Sequence, residues 1–274
     1  MKKILGAIAA LAMTVGLAAC GTPVSQGTAN QNQLVVGMEA GYQPFNWTQK
    51  DDSNGAVKIQ GTDQYAGGYD VEIAKRVAKQ LGKELVIVKT EWDGLTPALV
   101  SGKIDAIIAG MSPTEERKAT IDFTDSYYDS QLVLVVKKGS KYANATSLAD
   151  FSGAKVTAQL NTFHYSVIDQ IPGVDKQAAM DNFPAMRVAL QSGTIDAYVS
   201  ELPEAISAQA ANSDFVMVKL TDGFKASPED TQTAVGVKKD SPLTKEINEA
   251  LKTISSEERQ QIMQEAIKNQ PAAE

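Results

Sequence analysis

Short apolar runs alternate with apolar residues at helical spacing along most of the chain. Residues 34–36 form an apolar run between polar neighbours and predict a buried strand. From Asp70 to Leu81 the apolar positions follow a helical period, with Asp70 as a candidate N-cap and Gly82 as a candidate end. The pattern also predicts strands at 85–88, 104–109, 155–160 and 195–199, and helices that begin at Pro97 and that cover 163–171 and 184–191. Such alternation indicates an α/β protein with mainly parallel sheets.

One helix–turn–strand unit occurs twice. Residues 98–106 read ALVSGKIDA and residues 189–197 read ALQSGTIDA, with seven of nine positions identical. The repeat predicts two similar lobes with a sheet each, and a chance likeness of two αβ turns is the alternative. Ligands of open α/β sheets bind beyond the carboxyl ends of the strands. The two copies deliver 110–112 and 200–201 to those ends, which predicts a cleft that closes on a small molecule.

The first twenty residues have the pattern of a secretory signal. Two lysines precede an uncharged run at 4–19, which is shorter than the roughly 20 apolar residues of a spanning helix. Residues 17–21, LAACG, resemble the lipobox of bacterial lipoproteins, and a plain signal peptide with a chance Cys is the alternative. The resemblance implies removal of residues 1–19 and acylation of Cys20, for example by palmitate. The uncharged polar residues up to 32 then form a flexible tether.

Composition excludes several kinds of site. The chain has 274 residues, 26 Lys+Arg and 33 Asp+Glu, and its net charge of −7 argues against a nucleic-acid partner. The single Cys and the single His, His164, exclude an internal disulfide and any multi-Cys or multi-His metal centre. Neither a P-loop nor a Rossmann glycine pattern occurs. We therefore expect no cofactor and no bound metal.

A candidate anion site follows the first copy of the repeat. Residues 110–117, GMSPTEER, combine a small-residue turn with a helix start, where free backbone N–H groups favour an anion. The planar guanidinium of Arg117 suits a bidentate bond to a carboxylate. Taken alone, Arg117 is more typical of a surface ion pair with a neighbouring acid.

A series of segments resembles the polar-amino-acid solute-binding proteins of bacterial ABC importers. The segments are GMEAGYQPF at 37–45, GYD at 68–70, WDGL at 92–95, GMSPTEER at 110–117 and IDFTDSYY at 121–128. The resemblance runs from about residue 34 to the C-terminal helices, and it rests on the order and spacing of the whole series.

The resemblance implies a type II periplasmic-binding-protein fold with two α/β lobes joined by two crossing strands. Lobe 1 is expected at 33–127 and 234–274, and lobe 2 at 131–229. The hinge is expected near 128–130 and 230–233. A ligand cleft then lies between the lobes.

The resemblance also implies how the two charged ends of an amino acid are held. Arg117 is expected to bind the α-carboxylate, with help from the backbone at 162–163. Ser112, the Gly110 carbonyl and Glu201 are expected to bind the α-ammonium. Glu201 departs from the family pattern, since many members have Asp there.

The side-chain end of the expected pocket contains Tyr42, Trp92 and Glu39. Two aromatic rings and one carboxylate suit a long cationic side chain, so arginine or lysine is expected first and glutamine second. Where the family often has a Gly-Thr pair, this chain has Asn161, which tolerates a left-handed backbone. The expected ligand-binding residues are Glu39, Tyr42, Trp92, Gly110, Met111, Ser112, Arg117, Gln159, Thr162, Phe163 and Glu201.

The function implied is that of a non-enzymatic receptor. It is held at the cell membrane by lipid on Cys20, faces the extracellular side or the periplasm, and hands a free L-amino acid to an ABC permease; a monomer is expected. An enzyme resembling cyclohexadienyl dehydratases is an alternative of another class, with cleft carboxylates as acid and base. A sensory domain is a third class. His164 is expected to be structural and Trp47 to pack at the cleft rim.

Overall fold

Residues 32–272 are described by a computed structural model. The predicted signal segment, Cys20 and almost all of the predicted tether lie outside the described residues. Within 32–272, no helix is both long enough and apolar enough to cross a membrane.

The strands and helices that the apolar pattern predicts occur in the predicted order, with further elements between and after them. The strands are β1 Gln33–Met38, β2 Gly41–Tyr42, β3 Asn46–Gln49, β4 Val57–Lys58, β5 Tyr65–Gly67, β6 Glu84–Lys89, β7 Ala106–Ile107, β8 Asp122–Asp129, β9 Leu132–Lys137, β10 Lys155–Thr157, β11 Asp175–Lys176, β12 Ala197–Glu201, β13 Phe215–Val218 and β14 Gln232–Val237. The α-helices are α1 Tyr69–Gln80, α2 Trp92–Ser101, α3 Glu115–Lys118, α4 Phe163–Val167, α5 Phe183–Ser192, α6 Leu202–Ala211, α7 Pro228–Thr231, α8 Leu243–Lys252 and α9 Ser256–Asn269.

Two five-stranded sheets share one plan. Sheet 1 has the order β6-β1-β7-β14-β8, in which β1 pairs in parallel with β6 and β7 and β14 runs antiparallel to β7 and β8. Sheet 2 has the order β11-β10-β12-β9-β13, with β10 parallel to β11 and β12 and β9 antiparallel to β12 and β13. A small antiparallel sheet has the order β2-β3-β5-β4, and its strands come between β1 and β6 in the sequence.

The chain crosses between the two large sheets twice. It leaves sheet 1 after β8 and enters sheet 2 at β9, and it returns to sheet 1 at β14. The two crossing segments pair with each other, since Asp129 lies opposite Gln232 and the Ser130 amide donates to the Thr231 carbonyl at 2.9 Å. The lobe and hinge bounds given above remain a prediction.

The repeated unit has the same local structure in both copies. Helix α2 ends at Gly102 and α5 at Gly193, both with left-handed φ values, 81° and 77°. The left-handed residue that closes each helix is glycine because it has no Cβ to clash. In each copy the following Asp then accepts a hydrogen bond from the neighbouring strand at 2.9 Å, Asp105 from the Val35 amide and Asp196 from the Lys155 amide.

Two details of the predicted helices are wrong. Asp70 does not cap α1, because the helix begins one residue earlier, at Tyr69, with Gly68 as its N-cap. Gly68 has φ 121°, and a Cβ there would lie 2.4 Å from the Phe45 carbonyl oxygen. Pro97 does not open α2 but lies inside it, because the helix begins at Trp92.

The cores lie against the inner faces of the sheets. The buried apolar side chains of α1 include Ile73 and Val77, and they pack with the strand residues Val36, Ile87 and Ile107. The second core lies on sheet 2. Its buried members include Leu134, Val136, Phe151, Val156, Ile168 and Val199. Burial of such side chains stabilises each sheet by roughly 1.5–3 kcal/mol per residue.

Candidate functional site

A small cavity lies at the carboxyl ends of strands from both large sheets. It holds about 10 Å³ of free volume, room for about one water molecule, and it opens beside a cleft of about 800 Å³. Nine of the eleven predicted site residues line the cavity, and Glu39 and Met111 do not. Its lining is Tyr42, Trp92, Gly110, Ser112, Arg117, Gln159, Thr162, Phe163, His164, Phe183 and Glu201.

Arg117 is held in position by backbone carbonyls. Its helix α3 is capped by Thr114, whose hydroxyl accepts from the Arg117 amide. The guanidinium donates from Nη1 to the Ser112 carbonyl at 2.9 Å and from Nη2 to the Asn161 carbonyl at 3.1 Å. Its Cζ lies 5.1 Å from the centre of the Trp92 ring. In the described part of the chain, no carboxylate forms an ion pair with Arg117.

The surroundings of Arg117 lower the pKa of its guanidinium. The side chain keeps some solvent exposure, but the protein around the guanidinium excludes enough water that desolvation lowers its pKa to about 10. Glu116, Asp230 and Glu201 oppose this shift from a distance. At neutral pH the guanidinium remains a cation that lacks a paired anion.

Glu201 faces the cavity from the end of β12. It is almost fully buried, and its Oε1 lies 3.2 Å from His164 Nε2. Three buried polar atoms of the lining have no hydrogen-bond partner among residues 32–272: Glu201 Oε2, His164 Nδ1 and the Tyr42 hydroxyl. Buried polar atoms are normally paired, so this corner of the cavity has unused hydrogen-bonding capacity.

Burial and nearby acids also act on Tyr42. Desolvation raises the pKa of its hydroxyl well above the ordinary value, and the negative charges of Glu201, Glu204 and Asp70 raise it further. The hydroxyl therefore stays protonated and is available as a donor.

The two aromatic rings expected at the side-chain end of the pocket both line the cavity, and each also has a partner within the protein. The Tyr42 ring stacks on Phe183, with centroids 4.5 Å apart and an interplanar angle of 6°. Trp92 instead faces the Arg117 guanidinium. Phe183 belongs to α5, which packs on sheet 2. The stack therefore connects the small sheet, which contains Tyr42, with the half of the fold that contains sheet 2.

Glu39 is sealed off from the small cavity. It lies just after β1, is nearly fully buried, and accepts two hydrogen bonds from Gln159 Nε2, at 3.3 and 3.2 Å. Desolvation raises the pKa of its carboxyl to about 7, and the Gln159 hydrogen bonds only partly offset this rise. Gln159 Nε2 also donates to the Asp181 carbonyl at 3.0 Å.

The turn from Gly110 to Ser112 is fixed by its backbone. Gly110 has φ 62°, and a Cβ there would lie 2.7 Å from Tyr42 Cε1, so only glycine fits without displacing the ring. Met111 is buried, and its carbonyl accepts from the Ala234 amide at 3.0 Å. The Ser112 hydroxyl donates to the Asp230 carbonyl at 3.0 Å.

The turn that precedes α4 has the left-handed backbone expected of it. Asn161 has φ 54°, which confirms the prediction that this residue preserves the turn. Its Nδ2 donates to Asp93 Oδ1 at 2.8 Å, and the Thr162 hydroxyl donates to the Gln159 carbonyl at 2.7 Å.

The chain matches the model of the bacterial extracellular solute-binding proteins, family 3, over residues 34–269. It belongs to this family.

Individual relatives agree with the family match over nearly the whole chain. The arginine-binding extracellular protein ArtP of Bacillus subtilis (strain 168) is 31% identical over 254 residues, which cover 92% of this chain and 92% of the relative. The ABC transporter glutamine-binding protein GlnH of the same organism is 32% identical over an alignment of 292 positions, gaps included, which covers 99% of this chain and 100% of the relative.

A solved structure agrees on the fold. An amino acid ABC transporter substrate-binding protein from Streptococcus pneumoniae Canada MDR_19A, bound to L-arginine, has a TM-score of 0.76 at 26% identity, covering 87% of this chain and 95% of that chain. The comparisons confirm the predicted α/β fold of the type II periplasmic-binding-protein kind.

Two lining residues of this family 3 protein were not predicted as site residues. His164 was expected to be structural, but it lines the cavity and contacts Glu201. Its position one residue inside a predicted helix gave no separate signal. Phe183 precedes Pro184 at the start of α5, and nothing in the sequence indicates that its ring reaches Tyr42. Trp47, expected at the cleft rim, is buried and donates to Gln49 at 2.8 Å.

Metal ligands are not clustered in the described part of this solute-binding protein. Among residues 32–272, no three His, Cys, Asp or Glu side chains are grouped so that they could hold a metal ion.

Proposed function

We propose that this chain is the substrate-binding protein of an amino-acid ABC importer. It captures a free L-amino acid in the cavity and delivers it to the permease. One observation carries the proposal. Arg117 and Glu201 line the same buried cavity, and within residues 32–272 Arg117 has no anionic partner and one carboxylate oxygen of Glu201 is unpaired.

A zwitterion satisfies both groups at once. Its carboxylate accepts from the planar guanidinium of Arg117, and its ammonium donates to Glu201. Burying either ligand charge without a partner would cost several kcal/mol. The same pair disfavours a neutral solute, which would leave the charges of the protein uncompensated. Among residues 32–272, Arg117 is the one Lys or Arg side chain of the lining, so a substrate with two carboxylates, as a dehydratase would take, is poorly served.

The ligand enters when the two sheets move apart. The cavity holds about one water molecule, and cross-sheet hydrogen bonds such as those of Arg117 and Gln159 close it. An amino acid that contacts both sides replaces these bonds and stabilises a closed form around itself.

The favoured ligand is cationic, arginine or lysine. Glu39 is a buried carboxyl whose hydrogen-bonding partner is a neutral amide, and its pKa is raised to about 7, chiefly by desolvation. A guanidinium or ammonium that displaces Gln159 would supply a positive charge there. ArtP is named as arginine-binding, which supports this assignment.

Glutamine is the second candidate. The Gln159 amide already donates to both oxygens of the Glu39 carboxylate. A ligand amide could take its place and make the same hydrogen bonds. GlnH is named as glutamine-binding. Glutamine gains no charge pairing with Glu39, and we therefore place it after the cationic amino acids.

We further propose that Cys20 carries the lipid that retains the protein at the cell membrane. Its support is the LAACG sequence and the uncharged tether that follows it. Cys20→Ser should leave an unacylated protein that intact-mass analysis and membrane fractionation identify, and a mutant still retained through residue 20 would contradict the anchor.

A thermal-shift series on residues 21–274 tests the amino-acid assignment. A ligand that binds only the native state raises stability by RT ln(1 + [L]/Kd), or about 2.7 kcal/mol at 100 times Kd. We expect the largest melting shift with arginine or lysine, a smaller one with glutamine and none with glutamate. A panel of the free amino acids without any shift would contradict the proposed function.

A further inference from the structure

Asp70 is a buried carboxyl that the ligand scheme does not use. It lies near the start of α1 with no solvent exposure. Its Oδ1 accepts from the Tyr127 hydroxyl at 2.8 Å, and its Oδ2 accepts from Asn46 Nδ2 at 2.7 Å. In the part of the chain that the structure describes, no Lys, Arg or His forms an ion pair with it.

The hydrogen-bonded chain continues from Asp70 into the cavity wall. The Tyr127 hydroxyl, which donates to Asp70, also accepts from the Gly110 amide at 3.1 Å. Gly110 is left-handed, and a Cβ on it would lie 2.7 Å from Tyr42 Cε1, so the residue that Tyr127 holds through its amide also lies beside the Tyr42 ring. A hydrogen bond to an ionised acceptor is shorter and stronger than one between neutral groups. The charge of Asp70 therefore strengthens the hold of Tyr127 on Gly110.

We propose that Asp70 is a positioning residue of the ligand site, which fixes Gly110 through the Tyr127 hydroxyl and places negative charge behind the ammonium end of the cavity. The ligand part of this proposal rests on the proposed amino-acid function. Gly110 belongs to the turn whose carbonyl is expected to meet the ammonium, so a shift of this turn changes the geometry of ammonium binding for every amino acid.

The electrostatics agree with this placement. The pKa of Asp70 is raised to about 7. Burial is the largest cause of this rise, hydrogen bonds from Asn46 and Tyr127 oppose it, and the charge of Glu201 adds to it. The titratable groups that face Asp70 are thus Tyr127 and, across the cavity wall, Glu201, with Tyr69 and Tyr42 also sensing its charge. A ligand ammonium beside Glu201 would relieve the repulsion between the two carboxylates and favour the ionised form of Asp70.

Asp70→Asn is the matched variant, because it removes the charge and keeps the shape. Its Oδ1 can still accept from Tyr127. The Asn46 amide can flip, since its Oδ1 has no partner among the described residues, and that oxygen can then accept from the new amide. Tyr127→Phe is the second variant and removes the link while leaving the carboxyl. Asp105→Asn is the control. The Asp105 carboxylate accepts from the Val35 amide and lies before β7, whereas Gly110 lies after β7.

The Gly110 amide provides a readout that needs no ligand. In ¹⁵N-labelled protein we expect its chemical shift to follow an inflection near pH 7, which Asp70→Asn abolishes and Asp105→Asn keeps. Glu39→Gln should also keep it, which separates Asp70 from the other carboxyl that titrates there. Tyr127→Phe should speed hydrogen exchange at Gly110 by about fivefold or more, since a hydrogen bond contributes about 1 kcal/mol.

Calorimetry with L-arginine and L-glutamine provides the second readout. We expect Asp70→Asn to weaken both ligands by about fivefold, and by the same factor, because each presents the same ammonium. A Gly110 inflection that persists in Asp70→Asn, or affinities within twofold of wild type, would overturn the proposal. If Asp70→Asn fails to fold, unchanged Gly110 exchange in Tyr127→Phe would overturn it alone. Wild-type protein that binds neither amino acid but shows the Gly110 effects contradicts the proposed choice of ligand and supports the positioning of Gly110 by Asp70.

Discussion

The guanidinium of Arg117 is oriented before any ligand binds. The Ser112 carbonyl and the Trp92 ring hold it from the half of the fold that contains sheet 1, and the Asn161 carbonyl adds a contact while the cleft is closed. A side chain that is already ordered loses little conformational freedom on binding, so more of the charge-pairing energy appears as affinity. The Asn161 carbonyl lies on the opposite side of the cleft, so its hydrogen bond from Arg117 forms when the cleft closes.

Arg117→Ala should abolish amino-acid binding without unfolding the protein. Loss of one partner of a buried charge pair typically costs about 2–5 kcal/mol, or roughly thirty- to several-thousand-fold in affinity. Lys118→Ala, on the same short helix and paired with Glu115 at 2.9 Å, is the matched control and should bind as wild type. Calorimetry decides: Arg117→Ala affinity within threefold of wild type excludes the carboxylate role.

Glu39 should make arginine binding depend on pH more than glutamine binding. Its folded pKa is raised from 4.5 to about 7, so below pH 7 the carboxyl holds a proton that a cationic side chain must displace. The ratio of arginine to glutamine affinity should fall by up to about tenfold per pH unit below 7 and level off above it. Titrations from pH 5 to 8 measure this ratio.

Glu39→Gln is the control for that pH dependence. It should weaken arginine far more than glutamine and leave a ratio that no longer changes with pH. Equal weakening of both ligands, or a wild-type ratio that is flat across this range, would contradict cationic recognition by Glu39.

The individual residues of the site were predictable where motifs carry them. Residues 110–117 place Gly110, Ser112 and Arg117 in one turn, and the structure brings all three to the cavity. The Glu39–Gln159 pair could not be foreseen, because its members are 120 positions apart and meet only when two sheets face each other. The stack of Phe183 on Tyr42 is hidden for the same reason.

At the scale of elements, periodicity located helices α1 and α5 and the repeat, whereas α6, α8 and α9 were not predicted from it. Helix α1 was expected at 70–81 and is found at Tyr69–Gln80, because its apolar face packs continuously on sheet 1. The small sheet was not predicted. Its strands have two to four residues, which is too short for an alternating pattern to register, and they form through pairing with one another.

Gly110→Ala should harm both the turn and the ligand site. A left-handed alanine costs about 1–2 kcal/mol, and its Cβ would also press on the Tyr42 ring at 2.7 Å. Gly193→Ala is the matched control: it is also left-handed, with φ 77°, but its Cβ meets nothing within 4 Å. Urea unfolding should show a loss of stability in both variants, and calorimetry should show weaker binding only in Gly110→Ala. Equal affinities in the two variants would contradict the role of this turn.

At the scale of the whole molecule, contacts outside the cavity also join the two halves of the fold. Arg187 of α5 donates to Gln43 Oε1 at 3.0 Å, next to the small sheet. Gln270, just beyond α9, donates to the Ser207 carbonyl at 3.1 Å and accepts from the Ser207 hydroxyl. Arg187 is also paired with the buried Glu204 at 2.7 Å, so its removal would uncover a charge. The glutamines can be changed without that cost.

Gln43→Ala and Gln270→Ala together should open the molecule without altering its choice of ligand. Gln43→Ala removes a hydrogen bond from the charged Arg187, worth about 1.5–3 kcal/mol, and Gln270→Ala removes two neutral hydrogen bonds with Ser207, worth about 0.5–1.5 kcal/mol each. Neither side chain lines the cavity. The closed form should therefore be less populated, and the affinities for arginine and glutamine should fall by one common factor of about tenfold or more. Scattering should show a larger radius of gyration for the free double variant than for wild type, and saturating arginine should reverse it. Gln261→Ala, whose partner Glu265 lies on the same helix α9, is the control. A selective loss of one ligand, or an unchanged radius in the presence of weakened binding, would show that these contacts do not govern closure.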